Sequence, residues 1–187
     1  MYDAAEKEYG VLTEKKNVLA KEKEDVLSLI NEIEKDKKTV FLTAFNSVQE
    51  HFTRLFTHLS KKGQEAHLEL ESPEIIFDQG MNIKVKLSGD KFLDLRGLSG
   101  GEKTLTALAF LFAVQEHDPA TFYILDEVDA ALDKHNSKTF AQHIRSYCDK
   151  AQYLVISHND SVITEADTLY GVSVNEHGVS NVVSMKL

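Results

Sequence analysis

Between Val11 and Lys62 the sequence contains neither glycine nor proline, and apolar residues recur along this stretch with a period of seven. Such a repeat keeps one face of a helix turned toward a partner and is typical of a coiled coil. A helix of this length, at about 1.5 Å per residue, would extend for roughly 80 Å and would overhang a small domain. We therefore expect a coiled-coil helix rather than an amphipathic helix packed on its own domain. One apolar row consists of Ala5, Leu12, Leu19, Val26, Ile33 and Val40, and its companion row of Tyr9, Lys16, Lys23, Ile30, Lys37 and Ala44 is apolar at half of its positions.

The same stretch becomes aromatic toward its C-terminal end. Apolar residues then recur at helical spacing over a wider face, as a helix requires where it docks on a globular core. We therefore place a coiled-coil arm in residues 1–60 and a globular lobe in residues 61–187. The widened face consists of Phe41, Phe45, Val48, Phe52, Leu55, Phe56 and Leu59.

After Gly63 the apolar period falls to two, as in half-buried antiparallel strands, and a turn is expected at 88–90. From Leu98 on, short continuous apolar runs alternate with helical patterns, which predicts an α/β core with a sheet covered on both faces. The predicted helices are 105–114, 137–147 and 161–166, and the predicted strands are 122–125, 153–156, 169–174 and 179–187, the last two joined by a turn at 175–178.

The composition excludes several classes of protein. A single cysteine among 187 residues excludes a disulfide scaffold and a Cys-rich zinc site, and no apolar run is long enough to span a membrane. We expect a soluble intracellular protein with no membrane partner. The net charge of −9 gives no general support for nucleic-acid binding, so any contact with DNA must come from a local basic patch or from a partner.

The first segment with a chemical pattern is Ser99-Gly100-Gly101-Glu102. Ser99 and Glu102 have the spacing of a capping box, so the plainer interpretation is a well-started helix. The same N-terminus would expose backbone N–H groups and the positive end of a helix dipole, which together bind phosphate, and glycines let phosphate approach the backbone closely. Both interpretations remain open on these residues alone.

Two carboxylates, Asp126 and Glu127, directly follow the apolar run at 122–125. In α/β proteins, ligands bind at the carboxyl ends of strands. Asp126 suits Mg²⁺, which takes few carboxylates and completes its shell with water and phosphate oxygens; Glu127 is placed to orient or deprotonate a water that attacks a γ-phosphate. Strands that end in solvated acids are common, but the further charges of Asp129 and Asp133 favour a metal or a metal–polyphosphate complex.

His158 lies just after the apolar run at 153–156. A single histidine is usually structural, but parallel pairing of the two strands would put His158 at the same sheet edge as Glu127. The sequence has no phosphate-gripping P-loop, because Glu102 stands where that motif needs its second glycine and would repel a triphosphate. The chain therefore offers groups for Mg²⁺ and water but no loop that holds ATP.

In their order along the chain, these segments resemble the motifs of ABC-type ATPases. Residues 98–103 resemble the signature motif, Asp126-Glu127 Walker B, 130–133 the D-loop and Ser157-His158 the switch histidine. The wider runs at 98–109 and 123–133, and the ending at 167–173, resemble specifically the SMC (structural maintenance of chromosomes) proteins, their prokaryotic members in particular. The resemblance implies an α/β fold: the C-terminal lobe of an ABC-type ATPase head, with a mixed sheet and flanking helices, preceded by a long coiled-coil helix. The Walker A motif and the Q-loop would then belong to an N-terminal half that is missing here.

The resemblance also implies roles in ATP hydrolysis. Asp126 would be the Mg²⁺ ligand, Glu127 the water-activating base and His158 the γ-phosphate sensor, all acting on ATP held by the Walker A motif of their own head. The signature residues Ser99, Gly100, Gly101 and Glu102 would bind the ATP of an opposing head, and Asp133 would couple the two sites at that interface. The chain alone would be inactive.

The partners that the resemblance implies are the N-terminal half of the head, a second SMC head joined through ATP, and a kleisin subunit. DNA would be met through the assembled heads, in the cytoplasm at the nucleoid, or in the nucleus of a eukaryote. ATP and Mg²⁺ are the expected ligands, and the process served would be chromosome condensation and segregation.

Three other interpretations compete with this one. A coiled-coil ABC ATPase of DNA double-strand-break repair shares the arm and the signature, although the run at 126–133 favours SMC. A non-catalytic coiled-coil module would treat the acids as surface charge. A transporter nucleotide-binding domain has no need of a long heptad arm.

Overall fold

The computed structural model describes residues 2–72 and 75–187, and it confirms a mixed α/β fold with a long N-terminal helix. The chain divides into two compact units, Met1–Phe45 and Asn46–Leu187, while the boundary at residue 60 stays a prediction. In chain order the elements are α1 (Tyr2–Leu59), β1 (Glu65–Leu70), β2 (Met81–Lys86), β3 (Leu93–Asp94), a 3₁₀ turn (Leu95–Gly97), α2 (Gly100–His117), β4 (Phe122–Asp126), α3 (Lys134–Tyr147), β5 (Gln152–Ile156), α4 (Asp160–Ile163), β6 (Thr168–Val174) and β7 (Ser180–Lys186).

The first unit consists of helix alone, as the absence of glycine and proline over most of its length predicts. Its heptad row is exposed: Leu12, Leu19, Val26, Ile33 and Val40 each expose more than half of their surface. The side chain of Ala5 lies outside the described residues. An apolar row left in water along this length has the form of a coiled-coil seam.

The second unit is built on an aromatic core. The last turns of α1 bury Phe52, Phe56 and Leu59, which belong to the aromatic face that the sequence predicts, while docking of a separate arm on a lobe stays a prediction. Phe112 of α2 and Phe140 of α3 are also fully buried, with ring centroids 6.0 Å apart. Burying a phenylalanine side chain contributes about 1.5–3 kcal/mol, so these rings supply much of the driving force that joins α1, α2 and α3.

A polar cluster ties the same three helices together near the aromatic core. The Glu116 carboxylate of α2 accepts hydrogen bonds from Arg54 of α1 and from the Tyr147 hydroxyl of α3, and the Nδ1 atom of His51 lies 2.8 Å from it. The side chain of Glu116 is only 9% exposed. A carboxylate so enclosed is tolerated because several donors surround it.

The described residues of the second unit also form three small sheets, and their pairing follows the sequence pattern. The chain order β1–β2–β3 is antiparallel, β6 and β7 form an antiparallel hairpin, and β4 pairs with β5 in parallel. The turns predicted at 88–90 and 175–178 are confirmed, with positive φ angles at Gly89 and Gly178. The short strand β3 was not predicted, and α2 begins at Gly100 rather than at 105.

The sheet of β4 and β5 differs from expectation, because only one of its faces is buried. Leu125 is 4% exposed on the inner face, whereas the outer face presents Phe122, Ile124, Leu154 and Ile156, each about half exposed or more. Their continuous apolar sequence predicts cover on both faces. The described residues of this chain supply cover on one face only.

Among the helices within 2–72 and 75–187, none combines the length and the apolar character needed to cross a bilayer.

One buried histidine makes the stability of the second unit depend on pH. His143 of α3 is 7% exposed, and its ring centroid lies 4.5 Å from that of Phe112 and 4.8 Å from that of Tyr147. Burial lowers the pKa of His143 to about 4, assisted by the nearby charges of His58 and Arg54. The folded chain therefore keeps this ring neutral at pH values where an unfolded chain would protonate it.

We expect the free energy of unfolding to fall as the pH drops from 6.5 toward 4, because protons then bind the unfolded His143 first. The contribution of this group is at most about 3 kcal/mol. His143→Phe should reduce this fall in the free energy of unfolding. The control His177→Phe makes the same change in an exposed turn and should leave the fall unchanged. Urea unfolding at about pH 7 and about pH 4.5 measures the difference. Equal losses in the wild type and in His143→Phe would contradict the assignment.

Candidate functional site

Parallel pairing of β4 and β5 brings the predicted site residues to one sheet edge. Asp126 is aligned with Ile156, and the Glu127 N–H donates to the Ile156 carbonyl at 2.9 Å. Two residues after Ile156, the Nε2 atom of His158 lies 3.3 Å from the Oε1 atom of Glu127. The expected juxtaposition of Glu127 and His158 is present, and both side chains are exposed to solvent.

Glu127 has an unusual backbone. Its φ angle is +48°, and it is the single residue other than glycine with positive φ among those described. The left-handed conformation costs a side-chain-bearing residue roughly 1–2 kcal/mol. It turns the chain sharply out of β4 into a loop, in which Ala130 N–H donates to the Glu127 carbonyl at 3.1 Å.

A second link between the two strand ends was not foreseen. Asp129, noted in the sequence only as extra negative charge, is 4% exposed and accepts a hydrogen bond from the Ser157 hydroxyl at 2.7 Å. The Ser157 Oγ in turn accepts the Asn159 N–H at 3.0 Å. These residues are distant in the sequence, so no local pattern signals the contact.

The N-terminus of α2 has the contacts of the capping-box interpretation. The Glu102 carboxylate accepts both the backbone N–H of Ser99, at 2.8 Å, and its hydroxyl, at 2.7 Å. These hydrogen bonds, and secondarily the positive charge of Lys61, hold the pKa of Glu102 below its usual value. The carboxylate of Glu102 is therefore engaged with Ser99, and these contacts favour its charged form.

The two glycines at this helix start have different surroundings. A Cβ atom on Gly101 would lie 2.8 Å from the Ala131 carbonyl oxygen, a clash with backbone that cannot be relieved easily. Gly100 has open space where its Cβ would be. Close packing against the loop after β4 therefore explains why position 101 requires a glycine. At Gly100, by contrast, the open space would let a ligand approach the backbone.

Asp133 is placed as a helix cap. Its Oδ1 atom accepts the Asn136 N–H at 2.8 Å at the start of α3, and Lys61 Nζ lies 3.8 Å from its other oxygen. The structure therefore gives Asp133 a local role, and a role at an interface stays a prediction.

Asp126 is the remaining candidate, for a metal ion. Among the described residues no three His, Cys, Asp or Glu side chains form a cluster that could hold a metal by themselves. Asp126 instead offers one exposed carboxylate at the end of β4. That donor set suits Mg²⁺ brought with a polyphosphate, since Mg²⁺ is commonly held by one or two carboxylates plus phosphate and water oxygens.

Comparison with known proteins gives a consistent result. A family model described as RecF/RecN/SMC N terminal domain matches residues 4–181. The chromosome partition protein Smc of Pyrococcus furiosus is 42% identical over 186 residues, which cover all of this chain and 16% of that protein. The chain thus spans about one sixth of this relative.

Solved structures agree with this relationship. A crystal structure of the Smc head domain with an extended coiled coil, bound to the C-terminal domain of ScpA and derived from Pyrococcus furiosus, is 43% identical, with a TM-score of 0.87, and covers 97% of this chain and 45% of that one. A second structure, from work on ATP-driven dimerization and DNA stimulated activation of SMC ATPases, is 41% identical, with a TM-score of 0.72, and covers 80% of this chain and 89% of that one.

The family description refers to an N-terminal domain, so the match does not support the expected assignment to a C-terminal half. It does establish membership over most of the sequence. The chain therefore belongs to the RecF/RecN/SMC family and is homologous to the head of the chromosome partition protein Smc.

Proposed function

We propose that this chain supplies the catalytic edge and the signature segment of an SMC head that hydrolyses ATP between two engaged heads. The observation that carries the proposal is the placement of Glu127 and His158, 3.3 Å apart, at the carboxyl end of two parallel strands. Hydrolysis would open and close a coiled-coil assembly on DNA and so serve chromosome organisation and segregation.

We further propose that the chain is the C-terminal half of that head and that residues 61–187 form its lobe. The outer face of β4 and β5, with Phe122, Ile124, Leu154 and Ile156, is apolar and exposed, which is the surface a second lobe would cover. The sequence also carries no P-loop. Both features are accounted for if an N-terminal half brings the Walker A motif and packs on this face.

Within such a head, three residues would act on ATP bound by the Walker A half. Asp126 would hold Mg²⁺, which when bound neutralises charge on the phosphates. Glu127 would accept a proton from the attacking water, a role worth about 10²–10⁴ in rate. His158, beside Glu127, would donate a hydrogen bond to the γ-phosphate and so register its presence.

The start of α2 would act on the ATP of the opposing head. Ser99 and Gly100 lie exposed at the helix N-terminus, where the N–H groups of the first turn and the helix dipole favour an anion. Glu102 would hold Ser99 through the two hydrogen bonds already described, Gly101 would allow the close packing of this segment, and Asp133 would lie at the contact between heads.

Relatives suggest the wider assembly. One similar Smc head is bound to the C-terminal domain of ScpA, and another study concerns ATP-driven dimerization and DNA stimulated activation. We propose a kleisin partner, a second head and DNA for this chain as well, with residues 1–60 acting as a coiled-coil arm. A cytoplasmic, nucleoid-associated location follows from that role.

The first prediction concerns Glu127, the residue that would accept a proton from the attacking water. In a head completed with the Walker A half, Glu127→Gln should lower ATP turnover by about 100-fold or more, because the amide keeps the shape of the side chain but accepts no proton. ATP should still bind, and ATP-bound dimers should accumulate in size-exclusion chromatography. Glu176→Gln, an exposed carboxylate in the β6–β7 turn, is the control and should turn over normally. Loss of ATP binding in Glu127→Gln would contradict the role.

The second prediction concerns the signature segment. Ser99→Arg should abolish ATP-dependent dimerisation of the completed head while nucleotide binding by each monomer persists, since the added bulk lies where the opposing phosphate would dock. Light scattering with and without ATP, together with a fluorescent nucleotide titration, measures both. Ser146→Arg adds the same side chain at an exposed position of α3 and should dimerise normally. Dimers that survive Ser99→Arg would remove Ser99 from the interface.

A further inference from the structure

Asp129 is the one carboxylate in the loop after β4 that is buried. It exposes 4% of its surface, whereas its neighbours Asp126 and Glu127 are exposed. Enclosing a carboxylate costs free energy unless hydrogen bonds replace its water. The Ser157 hydroxyl, donating at 2.7 Å, provides such a bond from the end of the neighbouring strand β5.

The Ser157 hydroxyl both donates and accepts a hydrogen bond. While it donates to Asp129, its oxygen accepts the Asn159 N–H at 3.0 Å, so the bonded groups flank His158 on either side. Asn159 is itself fixed, because its side chain accepts the Ser161 N–H at 3.0 Å and caps α4. The backbone that carries His158 is therefore held at both ends.

The contact between Glu127 and His158 needs this support. The two side chains are 56% and 89% exposed, and a pair of solvated groups at the surface orients itself weakly. Their separation must then be set mainly by the backbones that carry them. Two hydrogen bonds link the segments that carry them: the Glu127 N–H donates to the Ile156 carbonyl, and the Ser157 hydroxyl donates to the Asp129 carboxylate.

We propose that Asp129 and Ser157 are positioning residues that keep His158 in register with Glu127. The inference rests on the proposed ATPase function and adds to it a specific buried hydrogen bond. Neither residue touches the reacting groups; they act through the backbone of His158. The feature that matters is a hydrogen-bond acceptor at position 129 and a hydroxyl at position 157.

The test uses four variants of the completed head. Asp129→Leu and Ser157→Ala remove the hydrogen bond and should each lower kcat by about 10- to 100-fold with little change in the KM for ATP. Asp129→Asn keeps an acceptor oxygen and should retain kcat within a few-fold of the wild type. Asp167→Asn, which alters an exposed aspartate paired with Arg145, is the control. Thermal melts identify any variant that fails to fold. In that case the kcat of Ser157→Ala, the smallest change, tests the positioning role.

A second measurement separates positioning from general stability. In a His158→Ala background, Ser157→Ala should lower kcat no further, because the group that it positions is gone. Additive losses in kcat would overturn the inference, as would wild-type turnover by both Asp129→Leu and Ser157→Ala. If Glu127→Gln abolishes turnover while these variants do not, only the positioning role fails. If Glu127→Gln itself has no effect, the proposed function fails first.

Discussion

Parallel pairing of β4 with β5 is the constraint on which the candidate site depends. Parallel strands require a crossover, here provided by α3, and the crossover returns the chain so that both strands end at the same edge. Glu127 and His158, far apart in sequence, therefore meet. An antiparallel pairing of the same two strands would have placed them at opposite ends of the sheet.

The aromatic core fixes the position of α2 relative to the other helices, and so also the position of the start of α2. The rings of Phe52, Phe112 and Phe140 and the enclosed Glu116 fix α2 against α1 and α3, and at its other end Gly101 packs against the Ala131 carbonyl. The signature-like segment and the loop after β4 are thus in backbone contact within one chain. Under the proposed function, the start of α2 and the loop after β4 contact different nucleotides. Because the two segments pack against each other, a displacement of one would displace the other.

The sequence predicts the elements that are marked by a pattern of neighbouring residues. It does not predict contacts between residues that are distant in the sequence. Periodicity, glycines and a capping pattern predicted α1, the turns and the order of the strands and helices apart from β3, and strand ends pointed to Asp126, Glu127 and His158. The bond between Asp129 and Ser157 and the cluster around Glu116 join distant residues, so no spacing reports them. The one-sided cover of β4 and β5 escaped prediction because an apolar run indicates two covered faces without saying which chain covers them.

Exposure at the candidate site bears on how ATP would be held. Tight small-molecule binding generally requires a concave site that encloses most of the ligand. Asp126, Glu127 and His158 instead stand exposed along an edge, and Ser99 and Gly100 are exposed at the start of α2. Each surface alone would leave most of a nucleotide in water. Under the proposed function, affinity and turnover both depend on closing such open surfaces against other lobes, so ATP would act as part of the interface that it joins.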